Sequence, residues 1–134
     1  MPLASYLSQD RADSLIMMPK RPANNQICDY PSGGSRVNIP LVSLDKTESF
    51  FLDISTSRVN FAKRKYQNRV ETIVLVRLEI NGTWHRNPDG TMVGPSHIHV
   101  YREGYGARWT FEVPNNEFMY VNNPRKTFLD FMDY

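Results

Sequence analysis

The spacing of apolar residues changes character along the chain, and each change marks an element. Near the start, Leu15, Ile16 and Met18 form an apolar side behind Ser8, a good helix cap, while Asp10 and Asp13 suit the positive end of a helix dipole. Pro19 stops this first helix. Residues 20–35 lose periodicity and carry Pro22, Asn24, Asn25, Pro31, Gly33 and Gly34, the composition of a connecting loop or arm. From residue 36 the period becomes two. Val37, Ile39 and Leu41 alternate with Arg36, Asn38 and Pro40, and Phe50, Leu52 and Ile54 alternate with Phe51 and Asp53, as in strands with one buried face. Ser55-Thr56-Ser57 then reads as a turn, and Arg58 to Lys63, with Val59 and Phe61 on one side, as the returning arm of a hairpin.

The strongest strand signal covers Val70 to Ile80, with Val70, Val74, Val76, Leu78 and Ile80 on one face and Ile73 and Leu75 on the other, as in a long central strand. Asn81-Gly82 ends it, and Asn87-Pro88-Asp89-Gly90 is a second turn signal. His97 to Glu103 and Ala107 to Val113 alternate on either side of Gly104 and Gly106, which predicts a second hairpin. At the end, Asn123 caps and Pro124 opens a helix with Phe128, Leu129, Phe131 and Met132 as its apolar stripe. The expected fold class is α+β: an antiparallel, curled or barrel-like sheet of about five or six strands over 36–113, flanked by short N- and C-terminal helices, the latter over 124–134.

Composition narrows the class. A chain of 134 residues with 40% hydrophobic and 22% charged residues is ordinary globular material, so one domain over 1–134 with its own core is expected. Cys28 is alone, which excludes an internal disulfide or a cysteine zinc site and favours a reducing compartment. No apolar run reaches the roughly 18 residues of a membrane span, and no signal peptide opens the chain, so a cytoplasmic protein without membrane partners is expected.

Charge adds a local feature that the total conceals. The formal balance is +2, yet Arg58, Lys63, Arg64, Lys65 and Arg69 contribute +5 within twelve residues containing no acid, so the rest sums to −3. Such a run neutralises phosphates, with Tyr66 able to stack on a base, or else forms the solvated, aggregation-resistant edge of a sheet.

All three histidines fall between Thr83 and Trp109. Strand alternation puts His97, His99, Tyr101 and Glu103 on one face, a row able to act as an acid/base platform near neutral pH. Three uses compete: a plain structural row; metal-independent phosphodiester cleavage, with His97 and His99 exchanging protons, Tyr101 and His85 assisting, and Arg86, Arg102 or a loop lysine stabilising charge; or a three-histidine metal site with an open position, formed with His85. The favoured catalytic scheme is the second, which uses no metal and no cofactor. The glycines form no phosphate-binding motif, Asp89 is expected to shape its own turn, and Cys28 lacks an activating neighbour. Trp84, beside His85 in a polar loop, is the aromatic residue best placed to meet a ligand.

The order Phe51-Leu52-Asp53-Ile54, Lys65-Tyr66-Gln67, Asn87-Pro88-Asp89-Gly90, His97-Ile98-His99-Val100-Tyr101-Arg102-Glu103-Gly104-Tyr105 and Trp109 resembles a group of small uncharacterised bacterial and prophage proteins. The likeness extends from Leu7-Ser8-Gln9-Asp10 to Phe128-Leu129-Asp130-Phe131, and departs from the group at Thr83-Trp84, where smaller, proline-containing residues are expected. The resemblance implies a bacterial or mobile-element source and no particular mechanism. Two function classes suit that setting. One is a toxin-like endoribonuclease, with RNA ahead of DNA as substrate and an antitoxin as partner. The other is a non-enzymatic anti-defence inhibitor of the anti-CRISPR type, which occupies a host defence protein or its nucleic-acid site through the basic strip.

Overall fold

The computed structural model describes residues 7–23, 36–57, 59, 63–113 and 131. Helix α1, Gln9–Met17, starts where the sequence says it should: the Ser8 side chain accepts a hydrogen bond from the Arg11 amide at 3.2 Å. Its inward face is Ala12 and Leu15, both fully buried, while Ile16 and Met18 pack at the margin of the core. Burial of a leucine side chain of this kind contributes about 1.5–3 kcal/mol, and it ties α1 to the sheet.

Nine strands follow among the described residues: β1 Lys20–Pro22, β2 Arg36–Ser43, β3 Ser49–Thr56, β4 Arg64–Val70, β5 Ile73–Ile80, β6 His85–Arg86, β7 Met92–Val93, β8 His97–Val100 and β9 Thr110–Glu112. Seven of them form one antiparallel sheet in the order β1-β2-β3-β4-β5-β8-β9, and β6 pairs with β7 as a separate hairpin. The expectation of an antiparallel sheet is met. The sheet is open rather than barrel-like, because β1 and β9 are its two ends and do not pair with each other, and it has more strands than the five or six expected.

Three sequence readings are corrected. The strand that returns from β3 is the basic run itself, β4, and Ser55 and Thr56, read as a turn, belong to β3; of Arg58–Lys63 only Val59, 95% exposed in a bend, and Lys63 are among the described residues. Val70–Ile80 is not one strand, since Glu71-Thr72 turns the chain between β4 and β5 with Glu71 at φ 52°, and a bulge between Asn68 and Arg69 brings Leu75 into the core. Residues 20–22, taken for loop, form the edge strand β1 against β2. The rest of the expected arm, residues 24–35, and the C-terminal helix lie outside the described residues, apart from helical Phe131, which packs on Tyr66 with ring centres 5.8 Å apart.

The two faces of the sheet differ in character. One carries the core, with Ile54, Tyr66, Leu78 and Ile98 aligned across four strands. The other carries polar rows in the same register: Asn38, Asp53, Gln67, Arg77, His99 and Thr110, and beside them Arg36, Ser55, Lys65, Glu79, His97 and Glu112. Asp53 joins these rows, accepting from Gln67 Nε2 at 2.8 Å and from Arg69 Nε at 2.6 Å, while Arg77 Nε donates to Gln67 Oε1 at 3.0 Å. No helix among the described residues is long and apolar enough to cross a membrane.

Candidate metal centre

The polar face gathers its chemistry at the β5–β8 end. Antiparallel pairing sets Glu79 opposite His97 and Arg77 opposite His99, so the two histidines of the H-x-H strand flank one carboxylate. The third histidine arrives from the loop between β5 and β8. That loop is closed by the Gly82 amide on the Pro95 carbonyl at 2.9 Å and the Asn81 amide on Ser96 Oγ at 3.0 Å. Within it, Asn87-Pro88-Asp89-Gly90 forms the tight end of the β6–β7 hairpin: the Gly90 amide donates to the Asn87 carbonyl, Asp89 Oδ1 accepts from the Thr91 amide at 2.9 Å, and Gly90 takes the left-handed φ of 91°. Asp89 is thus a turn residue, held below the usual carboxylate range by Thr91.

Asn87 fixes the hairpin to the sheet. Its Oδ1 accepts from both the amide and the hydroxyl of Thr110 at 2.8 Å, and its Nδ2 donates to the Thr110 carbonyl at 3.0 Å, so the side chain acts as a short extra strand beside β9. His85, two residues earlier, is thereby brought over His97 and His99. The three ring centres lie 4.9, 5.0 and 5.6 Å apart. One ring nitrogen from each, taken together, lies within 4.8 Å of the others.

Every ring is oriented by a backbone carbonyl. His97 Nδ1 donates to Gly94 at 2.7 Å, His99 Nδ1 to Ala107 at 2.8 Å, and His85 Nε2 to Arg108 at 2.8 Å. The opposite nitrogen of each ring is free to carry either a lone pair or a second proton. For His97 and His99 that nitrogen, Nε2, is shielded from solvent and faces the Glu79 carboxylate, the residues being 1% and 5% exposed. Glu79 Oε2 approaches these atoms at 2.8 and 3.6 Å, and Lys65 Nζ stands 3.5 Å from Oε1. A neutral imidazole nitrogen and a carboxylate oxygen are both acceptors, so a contact of 2.8 Å requires a cation between them, either a proton or a metal ion. Hydrogen bonding from His97 and then His99 holds the Glu79 carboxyl far below its ordinary range. Burial opposes charge on His97, but Glu79 and the Gly94 carbonyl more than offset it and raise its pKa above 6.5.

Sequence-predicted site residues divide between this centre and elsewhere. His85, His97 and His99 converge. Tyr101 does not join them: its hydroxyl donates to the Leu7 carbonyl at 2.7 Å and accepts from the Leu7 amide at 2.8 Å, which anchors the start of α1. The basic run is dispersed over both faces of a central strand rather than along an edge. Arg64 is buried in a core-facing position, Lys65 meets Glu79, and Arg69 is bound to Asp53 and lies over the Phe51 ring at 4.5 Å. Lys63 and Arg86 are exposed, Arg102 covers Trp109 at 5.0 Å, and Arg58 lies outside the described residues. Glu79, Asn87 and Thr110 were not selected from the sequence, although an acid in the apolar run Ile73–Ile80 is the kind of anomaly that marks a site.

Comparison with known proteins adds the family and little chemistry. A family model spans residues 7–134, nearly the whole chain. The chain belongs to DUF6978, a family of unknown function. This agrees, at that level, with the resemblance to uncharacterised proteins. No curated protein and no solved structure matches it.

Proposed function

We propose that this member of DUF6978 is a metal-binding protein in which His85 Nδ1, His97 Nε2 and His99 Nε2, with Glu79 as fourth donor, hold a zinc-type transition metal in a closed, structural site. One observation carries the reading: one ring nitrogen from each of the three histidines lies within 4.8 Å of the others, and each ring has a nitrogen committed to a backbone carbonyl. Metal-ligating histidines are commonly oriented in this way, because the outer hydrogen bond selects the tautomer and aims the lone pair. Tetrahedral zinc with bonds of about 2.0–2.1 Å needs ligand atoms about 3.4 Å apart, so each donor moves by less than about 1 Å to engage it. Imidazole and carboxylate donors without sulfur suit zinc, copper or nickel better than calcium or magnesium.

The same burial weighs against RNA cleavage by His97 and His99. A general acid or base must reach the proton it transfers, and these two Nε2 atoms are covered. With four protein donors, the centre staples the β6–β7 hairpin to the sheet. The expected prophage setting then fits the binder class, in which the protein presents a surface to a partner, better than the endoribonuclease class.

Metal-free protein is prepared with a chelator and titrated with zinc against a chromophoric competitor. One equivalent is expected to bind, with His85→Ala, His97→Ala and His99→Ala each losing at least about a hundredfold in affinity. Stoichiometry below one, or unchanged affinity in His85→Ala, overturns the proposal. In the cobalt-loaded protein, azide is expected to leave the visible spectrum unchanged, since a closed site offers no exchangeable position.

A further inference from the structure

On the opposite face of the sheet, beneath the end of α1, lies a cavity of about 290 Å³. Ile16, Met18, Leu41, Leu52, Val76 and Phe131 supply apolar walls. Two polar groups break this lining. Asn68 occupies the core-facing row that runs Ile39, Leu52, Asn68, Val76, and its Oδ1 is shielded from solvent without a hydrogen-bond partner. A polar residue kept in an apolar row, and left partly unsatisfied, costs stability that a leucine there would not. Lys20 is the second. Its Nζ donates to the Met18 and Ile16 carbonyls at 2.9 and 3.2 Å and lies 4.7 Å from the centre of the Phe50 ring, and its third N–H has no further acceptor among the described residues. Burial lowers its pKa to about 8, and among the described residues no carboxylate pairs with it.

We propose that this cavity binds a small amphipathic carboxylate, its hydrocarbon part against Leu41, Leu52 and Val76 and its head group between Lys20 and the Asn68 carboxamide. Lys20 is a part-buried cation that no carboxylate pairs with among the described residues, and a bound carboxylate supplies that partner; the Asn68 amide, with Oδ1 turned away, offers Nδ2 as a second donor. A cavity of this volume suits a ligand of about ten heavy atoms. The site shares no residue with the histidine centre.

The test is calorimetric titration of the full chain with octanoate, octylamine and octanol, followed in parallel by NMR of the Asn68 side-chain amide. Octanoate is expected to saturate at one per chain and shift the Asn68 resonances, with octylamine and octanol at least tenfold weaker. Lys20→Met and Asn68→Leu should each weaken octanoate about tenfold or more, and Lys20→Arg should retain it, with thermal unfolding verifying that each variant folds. Failure of octanoate to saturate, octylamine binding as well as octanoate, or unchanged affinity in folded Asn68→Leu overturns the proposal. If Lys20→Met does not fold, Asn68→Leu and the octylamine comparison still decide it.

Discussion

Replacement of Asn87 by alanine tests how the histidine centre is built. The substitution removes three hydrogen bonds at once, leaving the amide, carbonyl and hydroxyl of a fully buried Thr110 without those partners. Orphaned buried groups cost about 1–3 kcal/mol each, partly relieved by entering water, so a total near 3 kcal/mol is expected. For a domain of this size that lowers the melting temperature by roughly 10 °C. The consequence reaches function because Asn87 holds the hairpin that carries His85. Zinc affinity should therefore fall at least tenfold, although Asn87 is not a ligand. Urea unfolding of metal-free protein gives the first quantity as a lower midpoint at unchanged slope, and competitor titration gives the second. Asn87→Asp, which keeps the acceptor but places charge against the Thr110 carbonyl, should fall between wild type and alanine. A loss below about 0.5 kcal/mol, the range of an ordinary surface substitution, would refute the reasoning.

Other consequences are as specific. Tyr101→Phe should cost about 1–2 kcal/mol, read by urea unfolding, through loss of the bridge to Leu7, and should leave zinc affinity unchanged; a collapse of zinc binding would return Tyr101 to the site. Arg69→Ala removes both the Asp53 pair and the cation over Phe51 at a half-buried position, so a loss of about 1–2 kcal/mol that survives added salt is expected. Metal-free protein should lose stability as pH rises above 6.5. The folded state binds the His97 proton more tightly than the unfolded chain does, so that stabilisation is complete below pH 6.5 and fades as pH rises through the raised value. Zinc-loaded protein should gain stability over the same interval, because the ion displaces that proton; parallel slopes in urea melts of the two forms would count against a shared site.

Much of the fold could be read from local chemistry. Ser8 and Pro19 bound α1 through capping and the missing proline amide, and the alternation of Phe50, Leu52 and Ile54 marks β3 because one face is apolar. The basic run misled for a physical reason. Its charges look like an edge when viewed alone, but β4 lies inside the sheet because Asp53 and Glu79, supplied by neighbouring strands, neutralise Arg69 and Lys65. The turn at Glu71-Thr72 was hidden because neither residue is a customary turn former. Site geometry was legible only in part. Strand parity alone places His97 and His99 on one face, whereas the presence of Glu79 opposite them depends on register, and that of His85 on the docking of Asn87 against Thr110. These are long-range facts that a pass along the chain does not contain.

X-ray absorption at the zinc edge of the zinc-loaded protein tests the central claim most directly. The account predicts a four-coordinate ion with three imidazoles and one oxygen at about 2.0–2.1 Å, and loss of one imidazole shell in His85→Ala. A six-coordinate, water-dominated shell, or a spectrum unchanged by removing His85, would contradict it.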